Sequence, residues 1–305
     1  MMKGFLNMMK GNKSIGKLLT RWTERVIDVA FYLCLLAMLY LFLQVFVVTS
    51  FKIPTDSMWP TLLPGDYLLV EKCSTGARIF DVVESLEDKP VDICRMPGWR
   101  NFRRNDVLVF NFPYQERWDS IVFDVMKYYV KRCIALPGDT LEIRNGHYRI
   151  RGLDKEVGYL KAQQEIAALP DSGSYVVMSA FPWSDRLKWT IKNFGPLHVP
   201  AKGQTIKMDT LSFTFYHTLI GWEQKKRLHM EKDGSVLLGD SLIHEYRFQE
   251  NYYFMAGDKA TNSQDSRYWG LLPESFIVGR AVRIWKSIHP YSNQTRWDRV
   301  WKKVK

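Results

Sequence analysis

A long run of apolar residues, at positions 29–51, constrains this chain more than any other feature of its sequence. Only Gln44 and two small hydroxyl residues near the end interrupt the run. About 20 residues of this kind are enough to cross the roughly 30 Å hydrocarbon core of a bilayer as a helix. Since no second run of this length follows, the sequence predicts one transmembrane anchor, at residues 27–50.

The charges before the run predict its orientation. Residues 1–25 carry six lysines and arginines against one acid, Glu24. Positive flanks stay on the cytoplasmic side of a membrane, so we expect residues 1–26 to form a basic cytoplasmic segment and the chain beyond residue 51 to lie outside. The run is longer than the roughly 7–15 apolar residues of a cleavable signal peptide. An uncleaved anchor is therefore favoured over a signal peptide and over a buried core helix.

Composition argues against a disordered protein and against a nucleic-acid-binding protein. With 14% aromatic and 25% charged residues, a chain of 305 residues is an ordered globular protein of one large or two small domains. The formal charge of +11 is spread along the chain. No helix-turn-helix, RNA-recognition or zinc-finger pattern accompanies it, so no nucleic-acid partner is predicted. Attraction to an anionic lipid bilayer explains the charge better.

The cysteines and histidines form no metal-binding pattern. Four cysteines occur without a Cys-x-x-Cys pair, and the six histidines are dispersed. We therefore expect no metal and no cofactor. Cys73 and Cys94 bracket a short charged segment, and two alternatives stay open for them. They form a disulfide if this region is extracytoplasmic, or they are free thiols packed as small apolar residues.

Beyond the anchor, short runs with period-two alternation predict strands. A hairpin is predicted at residues 141–150, because Asn145-Gly146 favours a type I′ turn, and one helix is predicted at residues 209–226. Further strands are predicted at residues 67–70, 106–112, 128–136, 174–178, 235–238, 252–256 and 276–284. The sequence therefore predicts a mainly β protein.

A stretch with two prolines follows the anchor directly, at residues 51–63. Ser57 lies three positions after Pro54 and three before Pro60. Each proline fixes its own φ near −65° and favours extended backbone in the residue before it. Ser57 is therefore expected in stiff, non-helical chain, which suits a nucleophile.

The motif around Ser57 resembles a known family. Ser-Met-x-Pro-Thr-Leu followed by Pro-Gly-Asp, at residues 57–66, resembles the nucleophile box of bacterial type I signal peptidases, the membrane-bound serine proteases that remove signal peptides. The resemblance implies that Ser57 is the nucleophile and that the catalytic domain is built of antiparallel β-sheets. It also implies that the partners are the signal peptides of secreted preproteins and the lipid bilayer.

Lys131 belongs to a second box. An isolated lysine is usually solvated, but this one lies in a strongly apolar predicted strand. Tyr-x-Lys-Arg-x-Ile-x-Leu-Pro-Gly-Asp, at residues 129–139, resembles the box that supplies the general base in that family. Burial lowers the pKa of a lysine by up to roughly 3–5 units, and a neutral amine can take the proton from Ser57 Oγ. The resemblance thus implies a catalytic Ser–Lys dyad.

A third box lies at residues 257–270. Its core, Ser-x-Asp-Ser-Arg-Tyr-Trp-Gly, resembles the last box of the family, in which a serine orients the lysine and an Asp and an Arg brace the site. Those supporting roles would fall on Ser263, Asp265 and Arg267. This chain has Lys259-Ala260-Thr261 where the family commonly has Asn-Arg-Asp, which puts in doubt the ion pair that the missing arginine makes.

The resemblance also implies an oxyanion hole and a substrate pocket. The backbone N–H of Ser57 and the hydroxyl of Thr55, two residues earlier, would bind the oxyanion. Tight apolar walls would admit alanine and exclude larger side chains. These substrate-binding walls are expected from Phe51, Ile53, Pro54, Met58, Leu62, Tyr129 and Ile134.

The boxes also predict a domain organisation. Residues 51–151 and 251–290 would form the catalytic peptidase domain, with a small insert at residues 73–104. Residues 152–250 match no motif and would form an inserted, non-catalytic α+β subdomain. Residues 291–305 would be a basic C-terminal tail.

The predicted function is the removal of signal peptides from exported preproteins, after a small-x-small motif, on the outer face of the cytoplasmic membrane. A self-cleaving repressor uses a similar dyad but needs a DNA-binding domain, where this chain has a membrane span. The alternative kept is a catalytically inactive relative that binds signal peptides or secretion components.

Overall fold

The structure, a computed structural model, describes residues 2–87, 89, 91–114, 118–170 and 178–305, with the backbone alone at residues 2–21. It consists of two compact units, Met1–Val47 and Val48–Lys305. Apart from Met178, the strand predicted at residues 174–178 lies outside the described residues.

The first unit is a helix. Helix α1 spans Met2–Phe42 and continues as a π-helix over Leu43–Val47. Its segment Trp22–Val47 has 26 residues and a mean hydropathy of 2.4. Within the described part of the chain, this is the one helix long and apolar enough to cross a bilayer.

The predicted anchor at residues 27–50 extends too far at its C-terminal end. Its last three residues lie in a strand, because Val48 and Thr49 pair with the strand that follows, and β-branched residues suit a pleated surface. Residues 2–26 continue the same helix rather than preceding it as a separate segment. The apolar run thus contains two kinds of structure.

The second unit contains the described strands. Up to residue 150 its elements are β1 Val48–Lys52, β2 Asp66–Glu71, β3 Arg78–Ile79, α2 Val82–Leu86, β4 Cys94–Arg95, β5 Val107–Asn111, β6 Tyr128–Ala135, β7 Thr140–Arg144 and β8 His147–Ile150. Further along are α3 Leu160–Ala167, β9 Phe194–His198, β10 Thr205–Lys207, α4 Thr210–Gln224, β11 Leu228–Met230, β12 Val236–Leu238, β13 Ser241–Leu242 and β14 Glu245–Arg247. The last are β15 Tyr252–Ala256, α5 Ser266–Trp269, β16 Leu272–Pro273 and β17 Ile277–Ser287, with short 3₁₀ turns at Ala260–Asn262, Glu274–Phe276 and Trp297–Arg299.

An antiparallel sheet, of seven strands as far as the chain is described, forms the centre of this unit. Its strand order is β1-β2-β17-β5-β6-β15-β16. Smaller antiparallel sheets join β3 to β4, β10 to β14, β11 and β13 to β12, and β8 and β9 to β7. The predicted mainly β fold class is therefore confirmed.

The strands predicted from period-two patterning are found close to their expected bounds. The runs at residues 106–112, 128–136, 252–256 and 276–284 become β5, β6, β15 and β17. The hairpin β7–β8 turns at Asn145 (φ 48°) and Gly146 (φ 81°), the left-handed conformations that a type I′ turn requires. Helix α4 begins after Asp209, whose carboxylate accepts the Ser212 N–H and caps the helix.

The central sheet is buried on both faces. Val107 and Val109 of β5 belong to one apolar cluster, whereas Leu108 and Phe110 belong to another. Successive side chains of a strand point to opposite faces, so both faces of β5 are covered. Strand β6 pairs with β5 through residues 128–132 and with β15 through residues 132–135, and its residues from Lys131 onward are buried.

Residues 152–250 pack against the same core as the sheet. Strand β9 from this segment pairs with β7 before it, and Phe194 and Phe215 belong to the cluster that contains Phe110 and Phe254. Their division into a separate subdomain stays a prediction. Cys73 and Cys94 are free thiols, as are Cys34 and Cys133.

The C-terminal segment is docked rather than loose. Arg299 is buried, and its guanidinium donates to both oxygens of the Asp66 carboxylate, at 3.1 and 2.6 Å. The same carboxylate accepts the Leu63 N–H and the Ser287 hydroxyl. This buried carboxylate therefore fixes the end of the loop that joins β1 to β2.

Candidate active site

Ser57 lies in the loop that joins β1 to β2, and apolar side chains on either side of it hold the loop in place. Ile53, Met58 and Leu62 are all buried in one cluster under the loop. The antiparallel pairing of β1 with β2 continues into the loop, because the Ile53 N–H donates to the Asp66 carbonyl at 2.8 Å. As predicted, Ser57 is outside helix and strand.

Gly65 closes this loop at a place where no larger residue fits. Its φ is +89°, and a Cβ there would lie 1.9 Å from the Ile288 carbonyl oxygen. A left-handed backbone conformation and a close backbone contact both require glycine. The Pro-Gly-Asp sequence thus sets the turn that returns the chain to the sheet.

Lys131 lies on β6 and is 4% exposed. It is paired with Leu108 of β5, and Cys133 and Ile134, further along the strand, are fully buried. Removing an ammonium from water disfavours its charged form. Burial is the main cause that lowers the pKa of Lys131 from its ordinary value of 10.5 to about 8.

The two predicted dyad residues meet. Lys131 Nζ lies 2.6 Å from Ser57 Oγ, which is hydrogen-bond distance. Nearby charges act on the lysine in opposite senses, since Asp265 and Asp258 raise its pKa and Arg267 lowers it. The lowered pKa therefore arises from desolvation, with the neighbouring charges as smaller influences.

Asp258 links the surroundings of both dyad residues. It accepts two hydrogen bonds from Arg132, the residue after Lys131, at 2.7 and 2.6 Å. It also accepts the Thr61 hydroxyl, four residues after Ser57, at 2.5 Å. The third box is thereby attached to the strand of the lysine and to the loop of the serine.

Asp265 and Arg267 form a second buried pair, and their role as residues that brace the site stays a prediction. Arg267 Nε and a terminal guanidinium nitrogen each donate to the Asp265 carboxylate at 2.8 Å. Arg267 also donates to the Ala260 carbonyl, and Asp265 accepts the Gly257 N–H. These contacts fix the fold of the loop between β15 and α5.

Ser263 is near the dyad but is not bonded to the lysine in this structure. A Cβ added to Gly257 would lie 2.1 Å from Ser263 Oγ and 2.6 Å from the Ser57 carbonyl oxygen. The Ser263 hydroxyl is buried and has no hydrogen-bond partner among the described residues. Its orienting role toward Lys131 stays a prediction.

A groove of about 370 Å³ lies beside the dyad. Of the predicted site residues, it is lined by Phe51, Ile53, Pro54, Thr55, Ser57, Met58, Tyr129 and Lys131. Two larger clefts, of about 750 and 690 Å³, are lined by none of the predicted site residues.

Two predicted wall residues do not line the groove. Leu62 and Ile134 are packed in the two apolar clusters with 0% and 1% exposure. Sequence proximity to the nucleophile and the lysine suggested them, but their side chains point into the core. The groove also has lining residues that the sequence prediction omitted, most of them polar or aromatic: Lys52, Asp56, Tyr128, Val130, Asn262 and Gln264.

Sequence reasoning also missed the brace formed by Arg132, Asp258 and Thr61. All three lie inside the motif boxes, directly after or close to the dyad residues and the Gly257 turn. An arginine next to a buried lysine needs an acidic partner, and that requirement was the available signal for Asp258.

A serine hydroxyl held against a buried, weakly basic amine is the arrangement of a serine hydrolase in which lysine replaces histidine. An open apolar groove beside it fits an extended peptide. The fold and the site thus define the class as a serine endopeptidase.

The sequence matches the family described as signal peptidase, peptidase S26, over residues 24–286. The chain belongs to this family. It is a serine endopeptidase that removes signal peptides.

Two bacterial signal peptidases align with this chain over most of their own length. Signal peptidase I of Buchnera aphidicola subsp. Acyrthosiphon pisum (strain APS) is 28% identical over 271 residues, which cover 84% of this chain and 75% of that protein. Signal peptidase I of Aquifex aeolicus (strain VF5) is 26% identical over 256 residues, covering 84% of this chain and 82% of that protein. A solved signal peptidase I from Enterococcus faecalis V583 is 19% identical and covers 59% of this chain and 97% of its own, with a TM-score of 0.30, too low to bear on the fold.

The lowered pKa of Lys131 predicts the pH dependence of cleavage. The amine must be neutral to accept a proton, and it is neutral only above its pKa. We therefore expect kcat/KM to rise with pH through an apparent pKa of about 8 and to level off above it. The measurement is preprotein cleavage by the detergent-solubilised chain, with recovery of activity at neutral pH as the control for unfolding. A midpoint at the ordinary lysine value of 10.5 would contradict a desolvated base.

Proposed function

We propose that Ser57 is the nucleophile and Lys131 the general base of the cleavage reaction. The observation that carries the proposal is the 2.6 Å approach of the buried Lys131 Nζ to Ser57 Oγ. The alternative, an inactive relative, is not favoured, because nothing in the altered Lys259-Ala260-Thr261 segment disturbs that contact.

The steps of the reaction follow from the dyad. The neutral amine of Lys131 accepts the hydroxyl proton as Ser57 Oγ attacks the scissile carbonyl carbon. The resulting ammonium then gives that proton to the leaving amine of the mature protein, which leaves an acyl-enzyme on Ser57. Water enters with Lys131 again as the base, and the signal peptide departs with a free carboxylate.

The oxyanion of the tetrahedral intermediate needs donors on the groove side of Ser57. The backbone N–H of Ser57 is one, and we assign the hydroxyl of Thr55 as the other. Thr55 lines the groove, and no described residue forms a hydrogen bond with its side chain. That free hydroxyl supports a donor role in the reaction rather than a structural one.

The walls of the groove support a preference for small residues on either side of a variable one. Phe51, Ile53, Met58 and Tyr129 present large apolar or aromatic groups to the space beside the dyad. Pockets of limited depth exclude large side chains sterically and admit alanine-sized ones. The substrates are therefore signal peptides that end in a small-x-small motif.

We further propose that the chain is anchored in the cytoplasmic membrane by residues 22–47. Its N-terminus would lie in the cytoplasm and its peptidase unit on the outer face. The apolar helix and the six-to-one excess of basic over acidic residues at positions 1–25 support this orientation. The bilayer is then a permanent partner of the chain.

Orientation has a direct test in cells. Protease added to spheroplasts should degrade the chain beyond residue 51 and spare the helix, because only the outer face is accessible. Immunoblots with an epitope after Lys305 and a cytoplasmic marker protein measure the outcome. Full protection of the epitope in intact spheroplasts, with degradation only after lysis, would reverse the orientation.

Substitution of either dyad residue should remove catalysis without unfolding the protein. We expect Ser57→Ala and Lys131→Ala to lower kcat by roughly 10⁴–10⁶-fold, and the double variant to be no worse, because the pair acts as a unit. Cleavage of a preprotein and the thermal unfolding midpoint are measured together. Lys161→Ala, at an exposed lysine, is the matched control. Turnover near wild type in a folded Ser57→Ala variant would remove Ser57 from the mechanism.

Thr55 gives a finer test of the oxyanion site. Thr55→Val keeps the shape and β-branching but loses the donor, so kcat should fall by about 10²–10³-fold with little change in KM. Thr55→Ser keeps the donor and should retain most of the activity. If valine keeps kcat within about threefold of wild type, far short of the loss of an oxyanion donor, then Thr55 only stiffens the loop.

A further inference from the structure

An ion pair joins the loop of the nucleophile to the third box. The ammonium of Lys259 donates to the carboxylate of Asp56, the residue before Ser57. Asn262 Nδ2 donates to the other oxygen of that carboxylate at 3.3 Å. The side chains of Lys259 and Asp56 are 32% and 41% exposed, so the pair lies at the rim of the groove.

The backbone makes a second connection at the same place. The N–H of Lys259 donates to the Ser57 carbonyl at 3.0 Å. One residue of the third box is therefore bonded to Asp56 through its side chain and to Ser57 through its main chain. Its neighbour Asp258 holds Arg132 beside the lysine of the dyad. Lys259 is thus bonded to the loop that carries Ser57, and Asp258 is bonded to the strand that carries Lys131.

The charge of Asp56 gives the pair a second role. The hydrogen bond from Lys259 is the main cause that holds the pKa of Asp56 below its usual range, so the carboxylate is ionised when the enzyme works. It lies in the chain between Thr55 and Ser57, where the oxyanion develops. A free carboxylate there would repel the developing negative charge, and the ammonium of Lys259 offsets it.

We infer that Lys259 is a positioning residue, which holds Asp56 and through it the Ser57 loop in the reactive geometry. This inference rests on the proposed Ser57–Lys131 dyad. Ordinary exposed ion pairs contribute little, so a purely structural pair would leave kcat unchanged.

The test compares variants of the full chain in detergent with one preprotein substrate. Lys259→Met should lower kcat about tenfold, within the roughly 10²-fold loss that a slightly misplaced reacting group causes, while KM changes by less than about twofold because the groove walls stay in place. Lys259→Arg keeps the cation and should restore most of the loss. Asp56→Ala should also lower kcat, by no more than Lys259→Met does, because it breaks the contact but leaves no unpaired carboxylate. The double variant should be no slower than Lys259→Met, since both changes act through one contact.

Lys225→Met is the matched control, because Lys225 also pairs with a distant acid, Asp92, at an exposed site. It should behave as wild type. The inference is overturned if Lys259→Met keeps wild-type kcat, or if its loss and that of Asp56→Ala multiply in the double variant. If Lys259→Met does not fold, kcat of Asp56→Ala decides alone: a lowered value supports the inference and an unchanged value overturns it. Wild-type turnover that survives Ser57→Ala would instead overturn the proposed dyad.

Discussion

The proposed Ser57–Lys131 dyad depends on the removal of the Lys131 amine from water. Lys131 pairs with Leu108 of β5 and begins the buried half of β6, so its side chain has almost no contact with solvent. An ammonium in such a place is disfavoured, and the pKa falls to about 8. With a hydroxyl at 2.6 Å, the amine has a proton donor within reach. A folded sheet thus converts an ordinary lysine into a base.

The acids around the lysine oppose this effect of burial on its pKa. Asp258 and Asp265 both raise the pKa of Lys131, but each is held by two hydrogen bonds from a buried arginine, Arg132 or Arg267. Buried ion pairs contribute little net stability because desolvation offsets their attraction. Their role here is to hold the third box, residues 257–270, against β6 and against the loop that carries Ser57.

Sequence patterns predicted the strands because each depends on local chemistry, whereas the dyad was implied by the resemblance to a known family. Alternating apolar residues and an Asn-Gly turn define strands and a hairpin without knowledge of their partners. Motif spacing could not tell which way a side chain points, and Leu62 was assigned to the groove although it faces the core. The pair of Asp56 and Lys259 joins residues 203 positions apart, and only the assembled sheet brings them together. The docking of Arg299 on Asp66 was missed for the same reason.

The central claim, a lysine whose pKa is lowered by burial, is tested most directly by titration of that single amine. The chain is produced with ¹³C at the lysine ε-carbons, and the Lys131 resonance is assigned by its absence from a Lys131→Arg variant. The account predicts a midpoint near 8 for Lys131, while exposed lysines titrate near the ordinary value of 10.5. A Lys131 resonance that titrates together with the exposed lysines would contradict the account.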